Sequence, residues 1–274
     1  MSSASPSLAH ARMAALFVPA TRPERFEKAL GAGADAIIID LEDAVGVAEK
    51  DSARAALAAA CPRSGTVLLR INARGTPWHE DDLALARTLP LAGVMLPKAE
   101  SSADMAAVRE ALGTVVPLVA LIESARGLAA ARSIAATPGV VRLAFGSIDF
   151  AADLGCAHTR DALLLARCEL VLAARLAGHA GPIDGVTTDV NDAALIATEA
   201  AAAVELGFAG KLLIHPKQVG PAMTGFAPSE DDIAWARRIV ESLAVGGAVV
   251  QVDGAMVDAP VRLRAERILA RAGL

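Results

Sequence analysis

The stretch Ile37–Asp43, written IIIDLED, joins three β-branched residues directly to a group of carboxylates. Branched side chains at consecutive positions favour a strand buried on both faces, as the strands of a parallel sheet are. The change to Asp40, Glu42 and Asp43 indicates that this strand ends at a polar edge. The simplest interpretation is a strand that ends in solvent, and the sharper one is a metal or substrate site at its carboxyl end.

Other short apolar runs share this pattern, and segments of helical periodicity separate them. The eight runs are ALFVP (15–19), AIIID (36–40), TVLLRIN (66–72), AGVMLP (92–97), PLVALIE (117–123), VRLAFGSID (141–149), PIDGV (182–186) and KLLIH (211–215). Alternating strands and helices are typical of a parallel sheet covered by helices, and eight such units fit a TIM (β/α)8 barrel. We therefore predict this α/β barrel over residues 14–224, after a flexible tail at residues 1–13.

The C-terminal residues 225–274 are expected to form a helical extension. Ser229 to Asp232 has the spacing of a capping box, which predicts a helix that begins there and ends near residue 244. Gly246 and Gly247 then suggest a hinge. The residues that remain are too few to build a core of their own, so we expect the extension to pack on the barrel or on a neighbouring subunit.

Composition excludes several classes of protein. The chain has 274 residues, 54% of them hydrophobic, which excludes disorder. We expect no membrane segment, because no apolar run approaches the roughly 18 residues that a membrane helix needs. The net charge of −5 and the dispersed basic residues argue against a nucleic acid partner. Three cysteines without metal-type spacing and the absence of a signal-peptide pattern favour a cytoplasmic protein.

Nearly every run ends in a polar or charged residue. These residues are Asp40, Arg70, Lys98, Glu123, Asp149, Asp184 and His215. Because all strands of a parallel barrel end on the same face, we expect these side chains to converge there. Strand ends that merely meet solvent are also polar, but that alternative does not explain why carboxylates, a guanidinium, an ammonium and an imidazole recur.

Glu123 and Asp149 end neighbouring runs, so their carboxylates are expected to lie close together. Two unit charges 4 Å apart repel by about 4 kcal/mol at an effective dielectric of 20, and either a proton or a cation must offset this. Two carboxylates completed by water and substrate oxygens suit Mg²⁺, and zinc is disfavoured because no His or Cys cluster accompanies them. The alternatives are a helix cap at Asp149 and a surface ion pair at Glu123.

Several longer segments, in order along residues 14–240, carry a family resemblance. They are LFVPATRPERFEKALGAGADAIIIDLEDAV, LLRINARGTPWHEDDL, GVMLPKAES, VALIESARGL, LAFGSIDFAADLG, IDGV, GFAGKLLIHPKQV and FAPSEDDIAWARRI. Together they resemble the citrate lyase β subunit-like branch of the HpcH/HpaI aldolase superfamily, which includes malyl-CoA and citramalyl-CoA lyases. The resemblance implies the same TIM barrel, often assembled as homotrimers or hexamers.

The resemblance also implies roles for residues of the barrel mouth. Glu123 and Asp149 would hold Mg²⁺, and Arg70 would bind the substrate's carboxylate or carbonyl oxygen, which suits a planar guanidinium. Glu42 and Asp43 would act through metal-bound waters and by orienting Arg70. Two further mouth residues have supporting roles: Asp40 is expected to hold the mouth together and Lys98 to partner a carboxylate.

Four more residues are candidates, each with a plainer alternative. Arg22 and Arg25 would meet a CoA phosphate or an acyl carrier, although exposed arginines at an ordinary helix start are the alternative. His215 would either contact substrate or shape its loop. Asp258 matches an aspartate that a neighbouring subunit supplies as acid/base in malyl-CoA lyases, and it equally suits a helix N-cap.

The implied reaction is Mg²⁺-dependent cleavage of a carboxylated 3-hydroxyacyl thioester, of the citramalyl-, malyl- or citryl-CoA type. Its products are an acetyl thioester and a 2-oxo acid, and the reverse condensation uses the same site. One alternative is a citrate lyase β subunit that acts on citryl-acyl carrier protein within a complex. Another is a non-catalytic regulator that binds CoA or a dicarboxylate, and the presence of Arg70, Glu123 and Asp149 speaks against it.

Overall fold

The centre of the molecule is a closed barrel of eight parallel strands. The computed structural model describes residue 8 and residues 12–113, 116–246, 250–252 and 255–274. The strands are β1 (Met13–Pro19), β2 (Ala36–Asp40), β3 (Val67–Arg70), β4 (Gly93–Leu96), β5 (Leu118–Ile122), β6 (Val140–Phe145), β7 (Ile183–Asp184) and β8 (Gly210–Leu213). Each strand pairs with the next, and β8 pairs with β1 to close the barrel. The predicted TIM barrel is therefore confirmed.

Helices follow the strands and cover the outside of the barrel. They are α1 (Phe26–Leu30), α2 (Lys50–Ala60), α3 (His79–Ala86), α4 (Ser102–Leu112), α5 (Ala125–Ala135), α6 (Ser147–Leu154), α7 (Leu164–Leu176) and α8 (Ala193–Leu206), with 3-10 turns at Pro23–Arg25, Val47–Glu49 and Pro216–Gln218. One predicted boundary is wrong. The run expected to extend as a strand to Asp149 ends at Phe145, and Gly146 serves as the N-cap of α6.

The isoleucines of β2 explain why the opening stretch is apolar at every position. Ile37 and Ile39 belong to the cluster between the barrel and its helices, whereas Ile38 belongs to the cluster that fills the barrel interior. All three are fully buried. Burying such a side chain contributes roughly 1.5–3 kcal/mol, so both faces of this strand favour the fold.

The interior of the barrel also accommodates part of the segment expected to be a frayed tail. Leu8 is 5% exposed and joins the interior cluster. The buried guanidinium of Arg142, on β6, donates hydrogen bonds to the carbonyls of Leu8 and Ala209. These contacts anchor residue 8 beneath the strands. The rest of residues 1–11 lies outside the described part of the chain.

The chain divides into two compact units, Met1–Met223 and Thr224–Leu274. After β8 the remaining elements are α9 (Val219–Phe226), α10 (Glu230–Gly246), β9 (Val250–Val252), β10 (Ala255–Val257) and α11 (Ala259–Arg271). Ser229 and Asp232 exchange the hydrogen bonds of the predicted cap, so the expected helix start is confirmed. Gly247, half of the suggested hinge, lies outside the described residues, and how the extension packs stays a prediction.

Helices α10 and α11 supply most of the core of the second unit. Ala236 and Ile239 on α10 pack with Ala265 and Ile268 on α11, and Val257 of the antiparallel β9–β10 pair joins them. In neither unit does a described helix have both the length and the apolar composition needed to cross a bilayer.

Candidate functional site at the barrel mouth

Asp40 and Arg70 occupy paired positions at the ends of β2 and β3. Asp40 follows the interior residue Ile38 by two positions, so its side chain also points to the inside of the barrel. Arg70 donates from Nε to Asp40 Oδ1 at 2.8 Å and from Nη2 to Oδ2 at 2.6 Å, and its guanidinium stacks 4.7 Å from the Phe17 ring. This two-point contact fixes the plane of the guanidinium.

Arg70 stays fully charged although it is almost buried. Burial acts to lower the pKa of Arg70, but the hydrogen bonds and charge of Asp40 and the charges of Glu42 and Asp43 raise it well above its usual range. The Nη1 atom of Arg70 lies 3.1 Å from Glu42 Oε2 and 4.0 Å from Asp43 Oδ2. The expectation that Asp40 organises the mouth fits this geometry, because it is the principal partner of Arg70.

Glu42 lies at the centre of the charged group. Its N–H donates to Asp40 Oδ1 at 2.8 Å, which turns the chain just beyond β2. Its carboxylate lies between Arg70 and Lys98, whose Nζ donates to Glu42 Oε1 at 2.7 Å. Burial raises the pKa of Glu42, while Arg70 and Lys98 oppose that rise. Asp43, the next residue, is exposed.

Glu123 is held by Lys98 from two sides. The backbone N–H of Lys98 donates to Glu123 Oε1 at 2.7 Å, and the Lys98 ammonium lies 3.9 Å from the same oxygen. To make this contact Lys98 adopts a φ of 47°, the only positive φ among the described non-glycine residues. Burial, together with the charges of Glu42 and Asp149, raises the pKa of Glu123 to about 8. We call Asp40, Glu42, Arg70, Lys98 and Glu123 the mouth cluster.

Asp149 lies in the first turn of α6 and is exposed at the mouth. The start of this helix lies directly against Glu123: a β-carbon at Gly146 would be 2.5 Å from the β-carbon of Glu123. The charge of Asp149 therefore acts on Glu123, as the raised pKa of Glu123 reflects. Glu123 follows the end of β5 and Asp149 lies in the first turn of the adjoining helix, and their joint use as metal ligands stays a prediction.

These two carboxylates fit a hard divalent cation. The described residues contain no group of three or more His, Cys, Asp or Glu arranged to hold a metal. A cation here would have protein ligands from Glu123 and Asp149 and complete its shell with water and substrate oxygens, which is a coordination that Mg²⁺ accepts. Its charge would offset the cost of the buried Glu123 carboxylate, which is 3% exposed.

A cleft of about 430 Å³ opens beside the mouth cluster. Its lining residues are Pro19, Thr21, Arg22, Arg25, Ala44 and Glu49. Arg22 precedes the 3-10 turn after β1 and Arg25 is its last residue, and both are exposed. Pro19 is paired with Asp40, and the N–H of Ala44 donates to Asp40 Oδ2 at 3.1 Å, so this cleft, which we call the arginine cleft, borders Asp40 of the mouth cluster.

Asp184 is not part of the mouth, and the expectation that it converges there is wrong. Ile183 belongs to the interior cluster, so the next residue points outward, toward the helices. Asp184 Oδ1 accepts a hydrogen bond from Arg167 Nε of α7 at 2.9 Å, and Lys211 Nζ of β8 lies 3.7 Å from Asp184 Oδ2. With Glu199 of α8, 3.4 Å from Lys211, these residues form what we call the wall cluster.

His215 and Asp258 both act as caps in the structure. The Nδ1 atom of His215 accepts a hydrogen bond from the N–H of Lys217, which leaves the ring proton on Nε2. Asp258 is the N-cap of α11, and its Oδ1 accepts from the N–H of Val261 at 3.4 Å. The plainer alternative for each residue, loop shaping by His215 and helix capping by Asp258, is therefore observed. Roles in substrate contact or proton transfer stay predictions.

Lys50 is a member of this region that sequence reasoning missed. Its Nζ donates to the carbonyls of Leu41 and Glu42 and to Asn72 Oδ1, each at 2.7 Å. One signal was available: Lys50 begins α2, and a cation at a helix N-terminus opposes the helix dipole. A lysine at this position is therefore expected to make stabilising contacts outside its own helix.

Comparisons with known proteins agree with this geometry. Residues 13–216 match the family model described as HpcH/HpaI aldolase/citrate lyase. A citrate lyase subunit beta-like protein of Mycobacterium tuberculosis is 37% identical over 265 residues, covering 94% of each chain. A (3S)-malyl-CoA thioesterase of Cereibacter sphaeroides is 35% identical over 276 residues, covering 96% of this chain and 95% of the relative.

A solved structure extends the likeness to three dimensions. The protein CitE from M. tuberculosis, in complex with magnesium, acetoacetate and coenzyme A, superposes with a TM-score of 0.88 at 36% identity. The match covers 96% of this chain and 99% of that chain. The family and these relatives indicate a lyase, and the resemblance read from the sequence is confirmed. The chain belongs to the HpcH/HpaI aldolase/citrate lyase family.

Proposed function

We propose that the protein is a Mg²⁺-dependent carbon–carbon lyase acting on a carboxylated 3-hydroxyacyl thioester of the malyl-, citramalyl- or citryl-CoA type. The products would be an acetyl thioester and a 2-oxo acid, and the same site would serve the reverse condensation. One observation carries the proposal. The guanidinium of Arg70, already anchored by Asp40, lies at the same end of the barrel as the neighbouring carboxylates of Glu123 and Asp149.

Glu123 and Asp149 would hold the metal. When bound there, Mg²⁺ supplies a positive charge that stabilises negative charge developing on a substrate oxygen. The similar structure of CitE was solved with magnesium, which supports this assignment. Glu123 has one oxygen tied to the Lys98 N–H, and this contact would orient the carboxylate before the cation arrives.

Arg70 would bind the oxoacid end of the substrate. Asp40 accepts hydrogen bonds from two of the five N–H groups of the guanidinium, which leaves one on Nη2 and both on Nη1, beside the charge of Glu42. Two N–H groups in one plane match two oxygens of a carboxylate or of an α-keto acid. Because Asp40 has already fixed this plane, little reorganisation is needed when charge develops on the substrate.

Bond cleavage requires one proton to leave and another to arrive. Removal of the 3-hydroxyl proton lets the bond between the carbinol carbon and the thioester α-carbon break, giving the 2-oxo acid and an acetyl thioester enolate. The enolate carbon then takes a proton. Asp258, supplied by a neighbouring subunit, is our candidate for this acid/base role, while Glu42 and Asp43 would keep Arg70 oriented. The protein would then act as a homo-oligomer, a trimer or hexamer.

The thioester would enter along the arginine cleft. Arg22 and Arg25 provide two cationic side chains for the phosphates of coenzyme A, and the CitE structure contains coenzyme A, which supports this assignment. His215, with its Nε2–H, would donate to the substrate or support the loop after β8. The two arginines are therefore expected to govern affinity for the thioester rather than the chemical step.

The test is an assay of the purified protein with Mg²⁺ and each of malyl-, citramalyl- and citryl-CoA. We expect a 2-oxo acid and acetyl-CoA in equal amounts, and no turnover with excess EDTA. Release of free CoA without a 2-oxo acid would overturn the proposal in favour of thioester hydrolysis, the activity named for the relative in C. sphaeroides.

The second candidate is a citrate lyase β subunit that acts on citryl-acyl carrier protein within a complex. The citrate lyase subunit beta-like relative favours keeping this possibility in the same assay. A complex subunit should leave free CoA thioesters uncleaved and act on the citryl group only when it is presented by an acyl carrier protein. Cleavage of free CoA thioesters by the isolated chain would argue for the stand-alone enzyme.

A further inference from the structure

Lys50 occupies an unfavourable place for a cation. It begins α2, where the helix dipole disfavours positive charge, and it is only 5% exposed. All three N–H groups of its ammonium are used in hydrogen bonds of 2.7 Å, and all three acceptors are neutral oxygens. Burying a charge against neutral partners is costly, so the contacts of the Lys50 ammonium should explain why a lysine is buried here.

The acceptors lie on the two segments that carry the proposed site. Leu41 and Glu42 are the first two residues beyond β2, and Asn72 lies just beyond β3. The side-chain N–H of Asn72 also donates to the Leu41 carbonyl at 3.0 Å. Lys50 and Asn72 therefore tie the end of β2, with Glu42, to the end of β3, with Arg70.

Glu42 is consequently held on both sides of its α-carbon. Asp40 accepts from its N–H at 2.8 Å, and Lys50 donates to its carbonyl at 2.7 Å. A backbone held at both ends sends the side chain in one direction, where its carboxylate meets Arg70 and Lys98. Loss of Lys50 would remove the hydrogen bond that holds the Glu42 carbonyl in place.

We propose that Lys50 is a positioning residue for the lyase reaction: by holding the carbonyls of Leu41 and Glu42, it keeps the Glu42 carboxylate between Arg70 and Lys98. Lys50 acts through Glu42 and does not itself touch the reacting atoms. This inference rests on the proposed function and deepens it. It assigns the geometry of the mouth cluster to Lys50, a residue outside that cluster.

Lys50→Met tests the inference, because methionine keeps an unbranched apolar stem and removes the three donors. The chain offers a matched control in Lys211→Met. Lys211 is also buried, at 1% exposed, and its Nζ also donates to a backbone carbonyl, that of Gly185 at 2.8 Å. It belongs to the wall cluster, so its loss should cost stability without disturbing Glu42.

We expect Lys50→Met to lower kcat by about 10- to 100-fold, as loss of a supporting contact in an active site typically does, with little change in KM. Lys211→Met should lower the melting temperature and leave the kcat of the folded enzyme within about two-fold of wild type. Equal losses of kcat in the two variants would mean that Lys50 only stabilises the fold, and would overturn the inference.

A double-mutant cycle separates action through Glu42 from a general effect. In a Glu42→Gln background, Lys50→Met should lower kcat by no more than about two-fold, because the group that it positions is already altered. A full 10- to 100-fold further loss would overturn the inference. If Lys50→Met does not fold, Lys50→Arg replaces it, with the same requirement of non-additivity, since guanidinium cannot point three donors at the same three oxygens.

Crystal structures of the two variants provide a measurement that does not depend on activity. In Lys50→Met the Glu42 carboxylate should leave Arg70, whereas in Lys211→Met it should stay within hydrogen-bonding distance. An unmoved Glu42 in Lys50→Met would overturn the positioning role even if the enzyme is active. Absence of lyase activity in the wild type would instead overturn the proposed function and leave this structural comparison standing.

Discussion

The mouth cluster and the wall cluster are both groups of charged side chains gathered around strand ends, yet they differ in what they face. In the mouth cluster, Lys98 keeps 47% of its side chain exposed while its ammonium contacts Glu42. In the wall cluster, Asp184 is 2% exposed and is enclosed between β7, β8 and the helices α7 and α8. The first can meet a substrate at the barrel mouth, whereas Asp184 and Lys211 of the second are enclosed between the barrel and its helices.

The direction of one side chain decides between these two environments. Asp40 is two residues beyond the interior position Ile38, so it points into the barrel. Asp184 is one residue beyond the interior position Ile183, so it points out to the helices. For these two aspartates, the alternation of the strand therefore decides whether the side chain reaches the mouth. The comparison predicts that mutations in the two clusters will have opposite consequences.

The largest expected contrast lies between Glu123 and Glu199. Glu123→Gln should lower kcat by roughly 10³-fold, because it removes a proposed metal ligand and with it the stabilisation of the developing negative charge. Glu199→Gln, in the wall cluster, is the matched control and should leave kcat unchanged. Steady-state kinetics at saturating Mg²⁺ measures both variants. Near wild-type turnover by Glu123→Gln would contradict the functional difference between the two clusters.

Asp40 and Asp184 provide a subtler pair. Asp40→Asn should lower kcat by about 10- to 100-fold, since an amide offers Arg70 one acceptor oxygen in place of two. Asp184→Asn should instead lower the melting temperature, because Arg167 and Lys211 lose the charge that compensates their burial. Kinetics should detect the effect of Asp40→Asn, and thermal unfolding should detect the effect of Asp184→Asn. A fall in kcat in Asp184→Asn would contradict the distinction between the two clusters.

The arginine cleft sharpens the comparison by separating affinity from chemistry. Arg22→Ala should raise KM for the CoA thioester by about 10-fold with little change in kcat, because phosphate contacts far from the reacting bond bind substrate and transition state alike. Arg87→Ala, an exposed arginine at the end of α3, is the control. If Arg22→Ala leaves KM unchanged, the cleft is not part of the binding site for the CoA thioester.

The pKa of Glu123 gives a prediction for stability without a divalent cation. Because burial, Glu42 and Asp149 raise the pKa of Glu123 from 4.5 to about 8, the folded protein retains a proton that the unfolded chain releases. Stability should therefore fall as pH rises from 4.5 through 8. In EDTA, the melting temperature of wild type should fall relative to Glu123→Gln over this range, and Mg²⁺ should reverse the difference. Parallel pH profiles of the two proteins in EDTA would contradict the assignment.

The smallest effect concerns the backbone of Lys98. A non-glycine residue in the left-handed region costs roughly 1–2 kcal/mol, a cost that glycine does not pay. Lys98→Gly should therefore be more stable to urea than Lys98→Ala by about 1 kcal/mol, after allowance for the greater chain entropy of glycine. Both variants lose the ammonium, so the difference reports the backbone alone. Equal stabilities would mean that the turn carries no strain.

Much of the fold could be predicted because the barrel depends on repeated patterns. The eight apolar runs predicted the number and order of the strands, and the charged ends of β2, β3 and β5 predicted which residues approach one another. The direction of Asp184 could not be predicted, because β7 is only two residues long and shows no alternation that fixes its register. The end of β6 was misplaced because FGSID reads equally well as a continuing strand.

Other features depend on contacts that leave little trace in the sequence. The bonds from Lys50 to two backbone carbonyls involve groups that every residue possesses, so no pattern of side chains announces them. The φ of Lys98 is equally hidden, since lysine is not the residue expected in that conformation. Such features emerge only when the ends of β2, β3, β4 and β5 are assembled in space.

Gly146 has a consequence for any attempt to transplant the site. The Glu123 carboxyl group lies so close to this residue that even a methyl group there would collide with it. A designer who copied only the two acidic residues and the arginine onto another barrel would find the space for Glu123 already filled. The pairing of Ile122 with Phe145 brings Gly146 alongside Glu123. The glycine and this strand pairing must therefore be copied together with the acidic residues.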